Sequence, residues 1–268
     1  MKTTQSKDGT TLAYDVYGEG PPLIFITGAI CSRNFGPVLK DAKVFAQEFT
    51  VYNYDRRGRG DSTDTKPYEI EREIEDVEAM IDAAGGKAFV YGHSSGAVLA
   101  LETALRVPRK VFKAAWYDAA YTTEKEKADY SRLRMEVKTL LQQGENALAL
   151  KKFLLGIGMP RIFVFLLPLM PGWKTMKALA PTLAYDMFLT CDPPPVARAA
   201  QINIPTHILY GEKSPPSILQ GAQELAAVIP RAQLTGVPGQ DHMISAKVLL
   251  PYLTRFFKTT PEMNGMNL

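Results

Sequence analysis

Two kinds of hydrophobic pattern alternate along most of this chain. Continuous apolar runs such as Leu23-Ile24-Phe25-Ile26 fit strands covered on both faces, whereas Ile70, Ile74, Val77 and Ile81 recur at helical spacing. The runs predict strands over 23–26, 51–54, 87–91, 111–117, 206–210 and 232–237. A hairpin precedes them, 3–7 and 10–17 about the turn pair Asp8-Gly9. Helices are expected over 38–49, 70–81, 97–107, 218–229 and 246–258, the third apolar nearly all round and so buried, and 259–268 reads as a loose tail. Glu71, Glu73, Glu75 and Asp76 fall between the apolar positions of the second helix and predict a solvated face.

Strands alternating with helices argue for a parallel α/β sheet. The rhythm breaks between 121 and 200, where helical segments are divided by Gly144, Gly156, Pro160, Pro168, Pro171-Gly172 and Pro193-Pro194-Pro195. The expected organisation is a core of 1–120 and 201–268 with a helical cap, 121–200, inserted between its halves.

Composition narrows the classes. Of 268 residues 46% are hydrophobic and 22% charged, as in an ordinary globular protein, and the net charge of +3 comes from scattered basic residues that call for no nucleic acid. The densest basic run, Arg56-Arg57-Gly58-Arg59, lies between Asp55 and Asp61, which predicts local pairing. Cys31 and Cys191 lack metal-ligand spacing and form no disulfide framework. The polar first nine residues contain no secretory signal, so a cytoplasmic location is the expectation. The greasiest stretch, 162–170, is interrupted by Pro168 and falls short of the roughly 20 apolar residues of a membrane span. It must be buried, line a pocket or touch a lipid surface; no integral membrane segment is expected.

Gly92-His93-Ser94-Ser95-Gly96 matches G-x-S-x-G with a strand before it and a helix after it. Such a sharp turn lifts a serine hydroxyl above the sheet, and side chains two residues to either side would collide. Ser94 is therefore the candidate nucleophile, and it needs a base. Of the three histidines, His93 lies inside the turn and His207 within a strand, where a core role is simplest. His242 follows the last strand in a Pro-Gly loop, and is the expected base.

These features resemble the α/β-hydrolase superfamily over nearly the whole chain: the strand ending in Thr27-Gly28-Ala29, the segment from Asp55 through Arg59 to Ser62, the elbow, and Pro238-Gly239-Gln240-Asp241-His242. The resemblance implies an eight-stranded, mostly parallel sheet with the helical cap after the sixth strand, and makes the arginine segment a structural turn. It also implies an oxyanion hole from the Ser95 and Ala29 amides. Relatives often carry His-Gly where this chain has Thr27-Gly28, which alters loop bonding and leaves the backbone donor. They usually place the triad acid as Gly-x-x-Asp after the seventh strand, where this chain reads Gly211-Glu212-Lys213-Ser214, and a neutral serine does not stabilise an imidazolium. Asp118, which ends the strand after the elbow, is the expected acid; Glu212 is the runner-up, and Asp241 adjoins His242 too closely.

The expected activity is hydrolysis of a small, largely apolar ester or lactone through an acyl-enzyme, with no cofactor and no metal. Phe163, Met170 and Trp173 are candidates for lining the substrate pocket, although each could equally pack the cap onto the sheet. C–C bond hydrolysis, lyase or perhydrolase chemistry, and a slow-turnover ligand receptor, stay open, as does a homo-oligomer.

Overall fold

Alternate side chains of each central strand feed two different cores. Ile24, Ile26, Val90, Ala114, Trp116 and Ile208 face one apolar cluster, while Leu23, Phe25, Tyr91, Ala115, Tyr117 and Leu209 face another. This is the two-sided burial that continuous apolar runs demand. The computed structural model describes residues 1–259, so most of the tail expected over 259–268 lies outside the described residues.

The strands are β1 (Lys2–Gln5), β2 (Thr11–Tyr17), β3 (Pro22–Ile26), β4 (Thr50–Tyr54), β5 (Ala88–His93), β6 (Val111–Tyr117), β7 (Thr206–Gly211) and β8 (Ala232–Val237). They form one eight-stranded sheet in the order β1-β2-β4-β3-β5-β6-β7-β8. β2 runs antiparallel to β1 and β4, and all other neighbours are parallel. Helices α1 (Gly36–Phe45) and α11 (Ala246–Lys258) supply one core cluster. The helices α2 (Ile70–Ala83), α3 (Ser95–Arg106) and α10 (Pro216–Val228) supply the other.

The sheet thus agrees with the hydrophobic pattern strand by strand, while the ends of several helices move: the first runs from Gly36 to Phe45 rather than 38–49. Between β6 and β7 the described chain is helical, with α4 (Lys127–Gln142), α5 (Asn146–Gly156), α6 (Arg161–Leu166), α7 (Trp173–Leu179), α8 (Leu183–Leu189) and α9 (Val196–Ala199). This segment has an apolar cluster of its own, built on Val137, Leu150, Phe153, Leu167 and Leu183. Among the described residues no single helix is long and apolar enough to cross a membrane.

Two charge expectations are corrected. The acidic run on α2 is not a solvated face throughout, because Glu73 and Asp76 are buried. Both Nε and Nη2 of Arg56 donate to Glu73 at 2.7 Å, and those of Arg57 donate to Asp76 at 2.7 Å. The arginines consequently do not pair with Asp55 and Asp61; those carboxylates take Arg33 instead. Helical spacing distinguishes apolar from polar positions but cannot tell a solvated carboxylate from one that meets a guanidinium, which buried charge requires.

Candidate active site

The strand-to-helix turn after β5 holds Ser94 at φ 59° and ψ −123°, a left-handed conformation that costs a non-glycine residue about 1–3 kcal/mol. Crowding enforces the flanking glycines. A Cβ on Gly92 would lie 2.2 Å from the Gly96 carbonyl oxygen, and one on Gly96 would lie 2.4 Å from that of Ile26. The loop after β3 also runs against the turn, since a Cβ on Gly28 would come within 3.0 Å of the Ser94 Cβ.

Parallel strands end on the same edge, and that edge gathers the three expected side chains. The Ser94 hydroxyl stands 3.1 Å from His242 Nε2, and His242 Nδ1 stands 3.1 Å from Asp118 Oδ2. A carboxylate only accepts, so Nδ1 carries the proton and Nε2 is left to accept from the serine. Asp118 is fully buried, with φ 48° just beyond the end of β6. Its Oδ1 accepts from the Gly211 amide at 3.0 Å, and its Oδ2 from the Ser214 hydroxyl at 2.5 Å. Ser214, at the position where the resemblance implies an acid, instead donates to the Asp118 carboxylate from the neighbouring strand end. Glu212 is directed elsewhere, accepting from the Gly239 amide, and Asp241 accepts from the Met243 amide.

The loop bearing His242 is held from beneath. Tyr117 donates its hydroxyl to the Asp241 carbonyl at 2.6 Å, and His93 Nε2 lies 2.9 Å from the His242 carbonyl. That oxygen can only accept, so His93 donates. Burial, reinforced by the adjacent His242, lowers the His93 pKa to about 4, which keeps it a neutral donor near pH 7. His207 is remote from this edge, bonded through Nε2 to Thr235, with its pKa lowered to about 4 by burial.

Ser95 is the first residue of α3, so its amide has no intrahelical acceptor. Ala29 sits in the facing loop, and among the described residues its amide also lacks a partner. The hydroxyl of Ser95 points away, donating to Asp186 of α8 at 2.7 Å. Sequence reasoning missed Asp186. It is buried, and both oxygens accept from Arg59 Nη2 at 2.8 Å while Oδ1 also accepts from Arg56 Nη1 at 2.9 Å. The same two arginines donate to the carbonyls of Thr27 and Gly28, at 3.2 and 2.6 Å. Burial alone would raise the Asp186 pKa, but Arg59 and Arg56 outweigh it and hold the carboxyl below its ordinary value. The available signal was a solitary acid in an apolar helix, Leu183-Ala184-Tyr185-Asp186-Met187-Phe188-Leu189, in a chain with an arginine cluster to neutralise.

Removing one partner from a buried charge network is expected to cost about 3–5 kcal/mol, so Asp186→Ala should lower the thermal midpoint by roughly 10 °C. Circular dichroism melting measures this; an unchanged midpoint would mean that Arg56 and Arg59 are satisfied without it.

Of the three expected pocket residues, Phe163 and Trp173 are half-buried against the same helical cluster as Ala29 and Ile30. Met170 is 42% exposed, unlike the other two.

A mostly parallel sheet with a serine at a strand-to-helix turn, and a histidine and an aspartate at neighbouring strand ends, defines a hydrolase-type scaffold. Residues 23–247 match the model of the alpha/beta hydrolase family, and the chain belongs to that family. It is similar to an α/β hydrolase of Sphaerobacter thermophilus, with 40% identity and a TM-score of 0.86 over 96% of this chain and all of that one. The enol-lactonase of Burkholderia xenovorans has the same fold, with a TM-score of 0.73 at 19% identity over 96% of this chain and 100% of that one. Among curated relatives, the uncharacterized hydrolase YraK of Bacillus subtilis is 31% identical over 107 residues, 38% of this chain and 39% of that protein. The chain therefore matches only about two fifths of that relative's length.

Proposed function

We propose that this α/β-hydrolase cleaves a small, largely apolar ester or lactone with Ser94 as nucleophile. The observation that carries the reading is the continuous line from the Ser94 hydroxyl through His242 to Asp118, both links 3.1 Å long, beside two amides without acceptors. In this mechanism His242 Nε2 takes the serine proton as Oγ attacks the carbonyl carbon. The Ala29 and Ser95 amides stabilise the oxyanion. The imidazolium, stabilised by Asp118, then returns its proton to the departing alkoxide, leaving an acyl-enzyme. Water attacks that ester with His242 again as base, and the acid leaves. For a lactone the alkoxide and acid are two ends of one product. The likeness to an enol-lactonase supports a cyclic ester as one substrate to try, on the ground of shared fold.

A fluorophosphonate should add covalently to Ser94, located by peptide mass spectrometry; absence of labelling at that residue would remove the nucleophile from the proposal. A panel of simple esters, lactones and vinylogous diketones then separates C–O from C–C cleavage. Acid and alcohol products support the reading, and turnover confined to the diketone would overturn it.

We propose also that the helical segment covers the site and that Phe163 and Trp173 set the size of the acyl group accepted, since both pack on the same apolar cluster as Ala29 and its loop neighbour Ile30. Phe163→Ala and Trp173→Ala are each expected to shift relative kcat/KM toward longer acyl chains by about tenfold across an acetyl-to-octanoyl ester series. An unchanged profile in both variants would assign the two rings to packing alone.

A further inference from the structure

A helix that is apolar on every side is normally buried on every side. The turn formed by α6 and the residues Leu167–Leu169 breaks that rule. Val164 and Leu167 are buried in the helical cluster, as expected. On the opposite side Ile162, Phe165, Leu166, Leu169 and Met170 follow one another at i, i+3, i+4, i+7 and i+8, and all are exposed. The exposure reaches 66% at Ile162, 73% at Phe165 and 82% at Leu169. Helix α5, which packs against α6, adds exposed Leu155 and Ile157 at its C-terminal end. Such a surface asks for a partner.

Charge identifies which one. From 146 to 185 the sequence has five basic residues, Lys151, Lys152, Arg161, Lys174 and Lys177, and no Asp or Glu. Lys152 pairs with Glu136, whereas among the described residues Arg161, Lys174 and Lys177 form no ion pair. A second copy docked on the same face by a two-fold axis would bring these like charges together with no acid from the segment to offset them. An anionic bilayer matches both components: acyl chains receive the apolar ridge, and headgroups receive the cations around it.

We infer that the ridge Ile162–Leu169, with Arg161, Lys174 and Lys177 beside it, is an interfacial docking surface for negatively charged lipid. The stretch Arg161–Leu169 is far shorter than the roughly 20 residues that cross a bilayer, and the chain bends by 107° after it, so the inferred contact is a ridge laid along the surface. Nothing in this inference depends on the proposed ester chemistry.

The test is co-sedimentation of the full chain with vesicles of phosphatidylcholine alone and of phosphatidylcholine with about one third phosphatidylglycerol, in parallel with sedimentation velocity without lipid. Wild type should bind the anionic vesicles at low salt, and binding should fall several-fold as salt is raised to about 0.5 M, where charges are screened within a few ångströms. The double variant Phe165→Asp, Leu169→Asp should lose at least about tenfold in partitioning. The triple variant Arg161→Gln, Lys174→Gln, Lys177→Gln should lose about a hundredfold on anionic vesicles and little on neutral ones. All five side chains are exposed, so melting temperatures should stay at the wild-type value, and the charge variant tests the surface even if the aspartates disturb folding. Wild type left in the supernatant, or variants that bind as wild type does, would overturn the inference. So would a wild-type dimer that the aspartates dissociate, which would give the ridge to a second copy.

Discussion

Ser94→Ala is expected to lower kcat on a p-nitrophenyl ester by about 10⁶, to a residue of catalysis supplied by binding and the oxyanion amides. The variant keeps the Cβ that lies against Gly28 and the positive φ of the turn, and deletes only the oxygen facing His242. The fold should therefore survive, with a melting temperature within a few degrees of wild type, so that lost turnover reports on chemistry. A variant that hydrolyses the ester at the wild-type rate would put the reaction at another group and end the mechanism proposed above.

The second large effect is expected at Asp118. Asp118→Asn should lower kcat by about 10⁴, because the amide can no longer stabilise the imidazolium and can turn a donor toward Nδ1, favouring the wrong tautomer. The buried site makes the change severe: the carboxylate accepts from Gly211, Ser214 and His242 at once, and an asparagine must offer a donor to one of those donors. Glu212→Gln on the same ester should leave kcat within about twofold, since that side chain reaches only the Gly239 amide. The opposite pattern, loss confined to Glu212→Gln, would transfer the role of acid to Glu212.

Much of this arrangement could be read from residue order. The sheet was legible because burial on both faces leaves continuous apolar runs, and β6 and β8 fall at the residues their runs indicate. The Ser94 turn was legible because its crowding permits so few residue types at Gly92 and Gly96. The long-range electrostatics were not. Arg56, Arg57 and Arg59 look locally neutralised beside Asp55 and Asp61, yet their carboxylates come from Glu73, Asp76 and Asp186, up to 130 residues away. Ser214 posed the complementary problem. A missing acid read as a deficit, whereas the structure places its hydroxyl on the carboxylate supplied by β6. Proximity across a sheet edge is a property of strand order, and no local pattern encodes it. Met170 marks a third boundary: apolar character says that a side chain shuns water, not which surface will cover it, and this one stays 42% exposed.

The position of Asp186 also bears on motion. Helix α8 is fastened to the core by two guanidinium groups, by the Tyr185 hydroxyl on Asp64 at 2.6 Å, and by the stacking of Tyr185 on Tyr68 at 4.0 Å. Arg198 of α9 ties the same end to Glu102 of α3. The helical segment thus has a fixed root, while α5 packs chiefly against α4 and the apolar cluster they share also meets Ala29, Ile30 and Phe35 of the core. Lifting that root would strand Arg56 and Arg59 without their shared carboxylate, a buried-charge cost that opposes any displacement of α8. Because that one carboxylate also holds the Ser95 hydroxyl, and its arginines hold the carbonyls of Thr27 and Gly28, the network that anchors α8 also braces both segments whose amides flank Ser94.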